Sequence, residues 1–282
     1  MRLFLLTAVA MLAFAANSLL TRAGVAAGLI GPMEFALWRV VAGTGVLGLL
    51  VVLRGGRLWP ARVAGGAGLV VYLVGFSLAY AGLSAGIGAL ILFGVVQITM
   101  FGGAVLAREP VPVARWIGAG VAFAGLVVLL APGGASVSLY HAGLMAAAGA
   151  GWGYYSLAAR PKDAGGQGDP LGVTAANFVL AVPVVAMVWA VLPGGVGAAP
   201  MGIGLAVVSG AVTSGLGYAL WYRLVPQLGA ARAGVAQLTV PVLAALGGIA
   251  LGEDVTLRFA IAAGLVLGGV GLASGYRGLT RR

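Results

Sequence analysis

The chain has no cysteine, a single histidine (His141) and, among its 282 residues, only six acidic side chains. Without cysteine there are no disulfides, no iron–sulfur clusters and no thiol chemistry, although nothing follows about compartment. A lone histidine assembles neither a metal cluster nor a Ser–His pair. No glycine-rich phosphate loop of the P-loop type occurs, so ATP-driven pumping has no residues to run on. Charge of either sign is scarce: 8% of residues are charged and 61% hydrophobic, with a mean hydropathy of +1.10. Soluble domains carry about 25% charged residues, so this surface cannot face water.

What the chain does have is long apolar runs. They fall at approximately 3–21, 33–53, 64–82, 85–107, 114–131, 140–159, 172–192, 201–222, 231–251 and 257–275. Each is long enough to cross about 30 Å of hydrocarbon, and only helices satisfy their own backbone within single runs of this length. The expected fold is an all-α integral membrane protein of ten transmembrane helices. Turn chemistry separates the runs, as at Gly31-Pro32, Gly55-Gly56 and Pro132-Gly133-Gly134. Fifty glycines scattered through the runs suit close helix packing in lipid. Arg2 and the small residues around Ala13-Phe14-Ala15 also fit a cleavable signal peptide. The match between the first run and a later segment favours its retention as a span.

The formal charge of +10 raises the question of a nucleic-acid partner. The basic residues instead sit in short connections, which is a topology signal. Alternating the connections, one side holds Arg2, Arg54, Arg57, Arg62, Arg108, Arg115, Arg160, Lys162, Arg223, Arg232, Arg277, Arg281 and Arg282. The other holds Arg22 and Arg258, and Arg39 falls inside a run. The rich side is expected to be cytoplasmic, with both termini on it.

The chain also answers itself. Leu106-Ala107-Arg108-Glu109 corresponds to Leu251-Gly252-Glu253, and at the same offset Gly120 and Gly125 fall on Gly264 and Gly269. Asn17 and Arg22 fall on Tyr155 and Arg160. Two five-helix halves are expected, residues 1–135 and 136–282, the second inverted because each half has an odd number of spans. Inverted repeats are a transporter signature, with the substrate site near the midplane between halves.

With Arg108-Glu109-Pro110 after the fourth run, Gly252-Glu253-Asp254 after the ninth, Pro241 within the ninth, Asn17 in the first and Arg39 in the second, the chain resembles the drug/metabolite transporter superfamily. The likeness is to its bacterial ten-helix branch with two EamA domains. One departure is Gln97, which stands where the family usually has proline, aligned with Pro241. The resemblance implies export of amino acids or other metabolites and a cavity lined by helices one, three, four, six, eight and nine.

Polar groups inside lipid are costly and mark function or helix-to-helix hydrogen bonds. Gln97, with Phe93 and Met100 nearby, lies mid-run in the fourth segment. Gln237 lies one turn before Pro241, which frees the Gln237 carbonyl and so is a candidate hinge. Arg39 is about six residues into its helix, roughly 9 Å deep at about 1.5 Å per residue. It either snorkels or binds carbonyls, or it anchors a substrate carboxylate; Glu253 or Asp254 is its expected acidic neighbour. Tyr80, Trp152, Tyr155 and Tyr218 are placed on cavity walls, and Trp38, Trp59, Trp116, Trp221 and Tyr222 in the interfacial aromatic belt. The candidate substrate site is therefore Asn17, Arg39, Tyr80, Phe93, Gln97, Met100, Trp152, Tyr155, Tyr218 and Gln237. No cofactor, metal or catalytic residue is expected. The partners are a small-molecule substrate and the lipid bilayer, and a monomer is compatible with this reading.

Gly166-Gln167-Gly168-Asp169 matches the G-x-G-D string of intramembrane aspartyl proteases. That chemistry needs a second aspartate beside the first, both within helices, and no run contains one, so an enzyme is not expected. The absence of Asp, Glu and His from the runs also leaves no proton relay, and facilitated diffusion or exchange is expected. Reporter fusions at Gly134, Gly195 and Glu253 should read external, and those at Arg57, Gly166 and Arg282 internal. An external C-terminus would overturn both the topology and the inverted repeat.

Overall fold

The structure is a computed structural model that describes residues 1–56, 58, 63–108, 111–131, 137–158, 169–192 and 197–275. Trp59, Glu109, Arg160, Lys162, Asp163 and the fusion points Arg57, Gly134, Gly166, Gly195 and Arg282 lie outside the described residues. The described residues form helices and turns without a strand. In order they are α1 (Arg2–Val25), α2 (Pro32–Leu53), α3 (Val63–Ala79), α4 (Ala85–Leu106), α5 (Val113–Leu130), α6 (Leu139–Ala158) and α7 (Pro170–Val191). There follow α8 (Pro200–Val208), a π-helical segment (Ser209–Leu216), α9 (Gly217–Gln237), α10 (Thr239–Ala250) and α11 (Leu257–Gly275).

Helix thus falls on every apolar run. By length and composition, seven stretches among the described residues suffice to cross a membrane, among them Arg2–Val25, Ala85–Leu106, Pro200–Leu228 and Ala233–Ala250. Gly65–Ala79 and Leu257–Ala273 are shorter apolar helices. The helices begin where their sequence supplies a start. Pro32, Pro170 and Pro200 occupy first-turn positions, where a missing N–H costs nothing. Glu34 accepts from the Gly31 N–H at 3.3 Å, and Asp169 from the Leu171 N–H at 3.1 Å. Asp169 is therefore a helix cap, which accounts for it without protease chemistry.

Calling the end of the bundle where α1 starts the near end, α1 reaches the far end at Val25. Gly202 lies against Ile30, Gly217 against Ala13, and the Trp221 ring is 5.6 Å from Phe14. The chain therefore descends alongside α1 through α8 and the start of α9. Gly247 then lies against Leu19, and Glu253 pairs with Arg22. The chain turns back between these points, and the spanning stretches on either side are Pro200–Leu228 and Ala233–Ala250. The eighth run thus extends past its expected end at Tyr222.

The outer surface is apolar: Phe4 is 75% exposed, Leu53 73% and Leu257 77%. In water such a surface would aggregate; in hydrocarbon it is the solvated face, and the chain is a multi-pass membrane protein. Inside, helices meet through glycines. A Cβ at Gly118 would collide with the Gly269 carbonyl oxygen, and one at Gly125 would stand 2.9 Å from that of Ala262, so α5 and α11 touch backbone to backbone. After α4 and α10 the chain turns through left-handed residues, Arg108 at φ 54° and Gly252 at φ 84°. Gly118→Leu should force α5 from α11 and cost about 1–3 kcal/mol, read as a lower thermal midpoint in detergent. Gly120→Leu, with nothing within 4 Å of its Cβ position, should leave the midpoint unchanged.

Candidate functional site

A cavity of about 460 Å³ occupies the near half of the bundle, within the usual small-molecule range of roughly 300–1,000 Å³. α4 supplies Gln97, Met100 and Phe101, α6 supplies Trp152 and Ser156, and α9 supplies Trp221, Tyr222 and Gln237. Arg115 and Ala119 of α5 and Val270 and Ala273 of α11 complete the wall. The lining is mostly apolar and aromatic, with amides contributed by α4 and α9. A smaller cavity of about 20 Å³ lies deeper, between Phe14, Asn17, Ser18, Tyr72, Phe76, Leu92, Phe93, Trp152 and Tyr218. Trp152 is a wall of both, its ring 4.9 Å from those of Tyr72 and Tyr218.

Behind the smaller cavity is a hydrogen-bonded hub on the Tyr72 hydroxyl. It accepts from Asn17 Nδ2 at 3.2 Å and from Arg39 Nη2 at 2.7 Å, and it shares a hydrogen bond with the Tyr218 hydroxyl at 3.2 Å. Asn17 Oδ1 accepts from Ser209 at 2.7 Å and Thr213 at 3.1 Å. Arg39 also donates through Nε to Ser214 at 3.0 Å and through Nη2 to Tyr218 at 3.4 Å. Its guanidinium carbon lies 5.0 Å from the Tyr72 ring centroid and 4.9 Å from that of Phe76, within cation–π range. Arg39 is fully buried.

The local sequence explains the placement. Ser209, Thr213 and Ser214 all belong to the π-helical segment, a rare geometry that concentrates at functional sites. Gly210 abuts the Arg39 carbonyl, and a Cβ at Gly43 would meet the Gly210 oxygen at 3.2 Å. Only this close approach of α2 to the π segment brings Ser214 within reach of Arg39.

The far end is drawn shut. Arg22 Nε lies 2.9 Å from Glu253 Oε1, and Arg22 Nη1 donates to the Tyr80 carbonyl at 3.2 Å. Glu253 Oε2 accepts from the Ala85 N–H at 2.8 Å. One ion pair and two hydrogen bonds thereby join the ends of α1, α3, α4 and α10.

The expected site residues separate into three groups. Gln97, Met100, Trp152 and Gln237 meet on the larger cavity, and Asn17, Phe93, Trp152 and Tyr218 on the smaller one. Arg39, Tyr80, Tyr155 and Pro241 line neither. Tyr80 donates to the Ala85 carbonyl beneath the far-end closure, and Tyr155 to Thr174. The helix is interrupted at Leu238, three residues before Pro241. Arg39 is not beside Glu253 or Asp254: Glu253 is taken by Arg22, and the described partners of Arg39 are hydroxyls and rings rather than carbonyls. Trp221 and Tyr222 lie on the cavity wall, not in the belt, whereas Trp38 and Trp116 are 42% and 54% exposed. Helices α5 and α11 join the larger wall, while α1 and α3 line only the smaller cavity. Tyr72 and Phe76 were not among the expected residues; the spacing of Tyr72, Phe76 and Tyr80 is their signal.

Comparison with known proteins agrees with this architecture. The family model of the EamA-like transporter family matches residues 140–275. An uncharacterized protein of Pseudomonas aeruginosa is 42% identical over 274 residues, covering 96% of this chain and 94% of its own. A protein solved by crystallography superposes with a TM-score of 0.69 over 100% of this chain and 99% of its own, at 23% identity, and shares the fold. The family match marks the chain as a membrane transporter of small solutes. The chain belongs to the EamA-like transporter family, within the drug/metabolite transporter superfamily.

Removing the Arg22–Glu253 pair should loosen the far end. In the cysteine-free background, a cysteine at Ser18 should react slowly with a membrane-impermeant maleimide from the far side. Glu253→Gln should speed that labelling about tenfold, the worth of about 1.5 kcal/mol for a charged hydrogen bond. Unchanged labelling would show that the pair does not hold the far end.

Proposed function

We propose that the chain is a ten-span inner-membrane exporter of small metabolites, most directly amino acids with large neutral or aromatic side chains. The observation that carries this reading is the one-sided cavity, broad in the near half and shut at the far end by Arg22 and Glu253. Arg2, Arg54, Arg108, Arg115 and Arg223 at the near end support a cavity that faces the cytoplasm under the positive-inside rule. An exporter loads from that side. Alternating access then exchanges closure between the two ends without ATP.

The inverted repeat, residues 1–135 against 136–282, is supported by paired contacts. At the 144-residue offset suggested by the sequence, Gly118 maps to Ala262 and Gly269 to Gly125. The Gly118–Gly269 and Gly125–Ala262 approaches are therefore each other's mates under a two-fold axis. The left-handed residues Arg108 and Gly252 are mates as well, and Arg108 takes this conformation despite its side chain.

Substrate class follows from the lining. Trp152, Trp221, Tyr222, Phe101 and Met100 suit an apolar side chain, while Gln97 and Gln237 offer amide donors and acceptors to a zwitterion. Phosphorylated solutes require clustered cations, and among the described residues this wall carries one, Arg115. Gln97→Ala should lower amino-acid flux in proteoliposomes about tenfold or more, by loss of a hydrogen bond to a charged group. Trp116→Ala, on the lipid-exposed face, should not change it. Normal transport by Gln97→Ala would remove α4 from the site.

A further inference from the structure

We propose that the smaller cavity beneath Trp152 is a carboxylate subsite, formed by Asn17, Tyr72 and Tyr218 in front of the buried guanidinium of Arg39. The solutes carried are then monoanionic carboxylates or zwitterions, which deepens the transporter reading and rests on it.

The argument begins with uncompensated charge. A cation inside a bundle in lipid is costly unless paired. Among the described residues the one ion pair is Arg22–Glu253. Glu34 and Asp169 are occupied as helix caps, and no described carboxylate reaches Arg39. Hydroxyls and aromatic faces spread its charge without cancelling it. Arg39 Nη1 has no hydrogen-bond partner among the described residues, although the side chain is fully buried.

Donor counting points the same way. Asn17 and Arg39 fill the two lone pairs of the Tyr72 oxygen. Of the two hydrogens on the Tyr72 and Tyr218 hydroxyls, 3.2 Å apart, one joins the pair and the other is spare. Asn17 Nδ2 likewise carries a second hydrogen beyond the one it gives to Tyr72. All three residues line the smaller cavity. A carboxylate oxygen placed there accepts from the tyrosine pair and Asn17, with the Arg39 charge one side chain behind.

Size sets the rest. A volume of about 20 Å³ takes one water-sized polar group, so the head of a solute enters and its body does not. The body lies beyond Trp152 in the larger cavity, that ring being a wall of both spaces. A phosphate dianion would face a single guanidinium where paired cations are needed.

The test uses the purified full chain with L-phenylalanine, 3-phenylpropionate and L-phenylalaninamide, which share a ring and differ in their charged groups. Both carboxylates should raise the thermal midpoint, and the amide should not. Tyr72→Phe keeps the ring against Arg39 and removes the hydroxyl, and should weaken carboxylate binding about tenfold or more. The subsite is overturned if the amide stabilises as well as the acids, if neither acid stabilises, or if Tyr72→Phe binds the acids like the parent. Proteoliposome flux separates the two readings. Carboxylate binding sensitive to Tyr72→Phe without flux retains the subsite and removes the transporter; flux that treats acid and amide alike does the reverse.

Discussion

Lipid tails are as apolar as leucine, so in a bilayer no hydrophobic force presses helices together. Adhesion depends on how closely one backbone can approach another. Glycine is what permits the approach, and its position in this chain dictates where everything else goes. A Cβ at Gly68 would stand 2.7 Å from the Gly151 carbonyl, and one at Gly151 equally close to that of Gly68. That seam clamps α3 to α6. One turn further along, it sets the Tyr72 ring beside Trp152, so the aromatic wall between the cavities is a by-product of the seam. The α2 approach to the π segment and the α5 approach to α11 work in the same way. Close contact along narrow stripes leaves bulky side chains only two directions, outward to lipid or inward to the cavities.

The polar hub solves a different problem. Asn17, Arg39, Tyr72 and Tyr218 belong to four helices, and none could be left unpaired in hydrocarbon without cost. Joined through one hydroxyl, they hold α1, α2, α3 and α9 in register near the bundle centre. The π-helical segment makes this geometry available by presenting Ser209 and Thr213 to α1 and Ser214 to α2. Neither task is met by the apolar seams, which have no directional preference of their own.

Much of the helix placement was legible in the sequence because hydropathy belongs to a segment and does not depend on its neighbours. Helix therefore falls on each apolar run, with α4 at Ala85–Leu106 against an expected 85–107. The site was less legible because it depends on partners. Trp221 and Tyr222 were read as belt residues since they end an apolar run; with the span continuing to Leu228 they become interior. Tyr72 has partners 33, 55 and 146 residues away, a convergence no local pattern encodes. The π segment likewise reads as ordinary apolar helix, because its cause is the tertiary demand of Asn17 and Arg39. Glu253 illustrates the converse: its place after an apolar run was plain, but only the fold shows that Arg22 claims it.

Arg39 also imposes an order on biogenesis. Arginine at a helix centre inserts against roughly 2.5–3.5 kcal/mol; Arg39, two turns into α2, meets part of that cost, and α2 emerges before any residue that relieves it. Tyr72 follows within the next helix, but Ser214 is 175 residues downstream. At about 5–20 residues per second that is roughly 10–35 s of translation. For this interval α2 waits in the membrane with its charge half-satisfied, and the C-terminal half of the chain acts on the N-terminal half as a chaperone built into the same polypeptide.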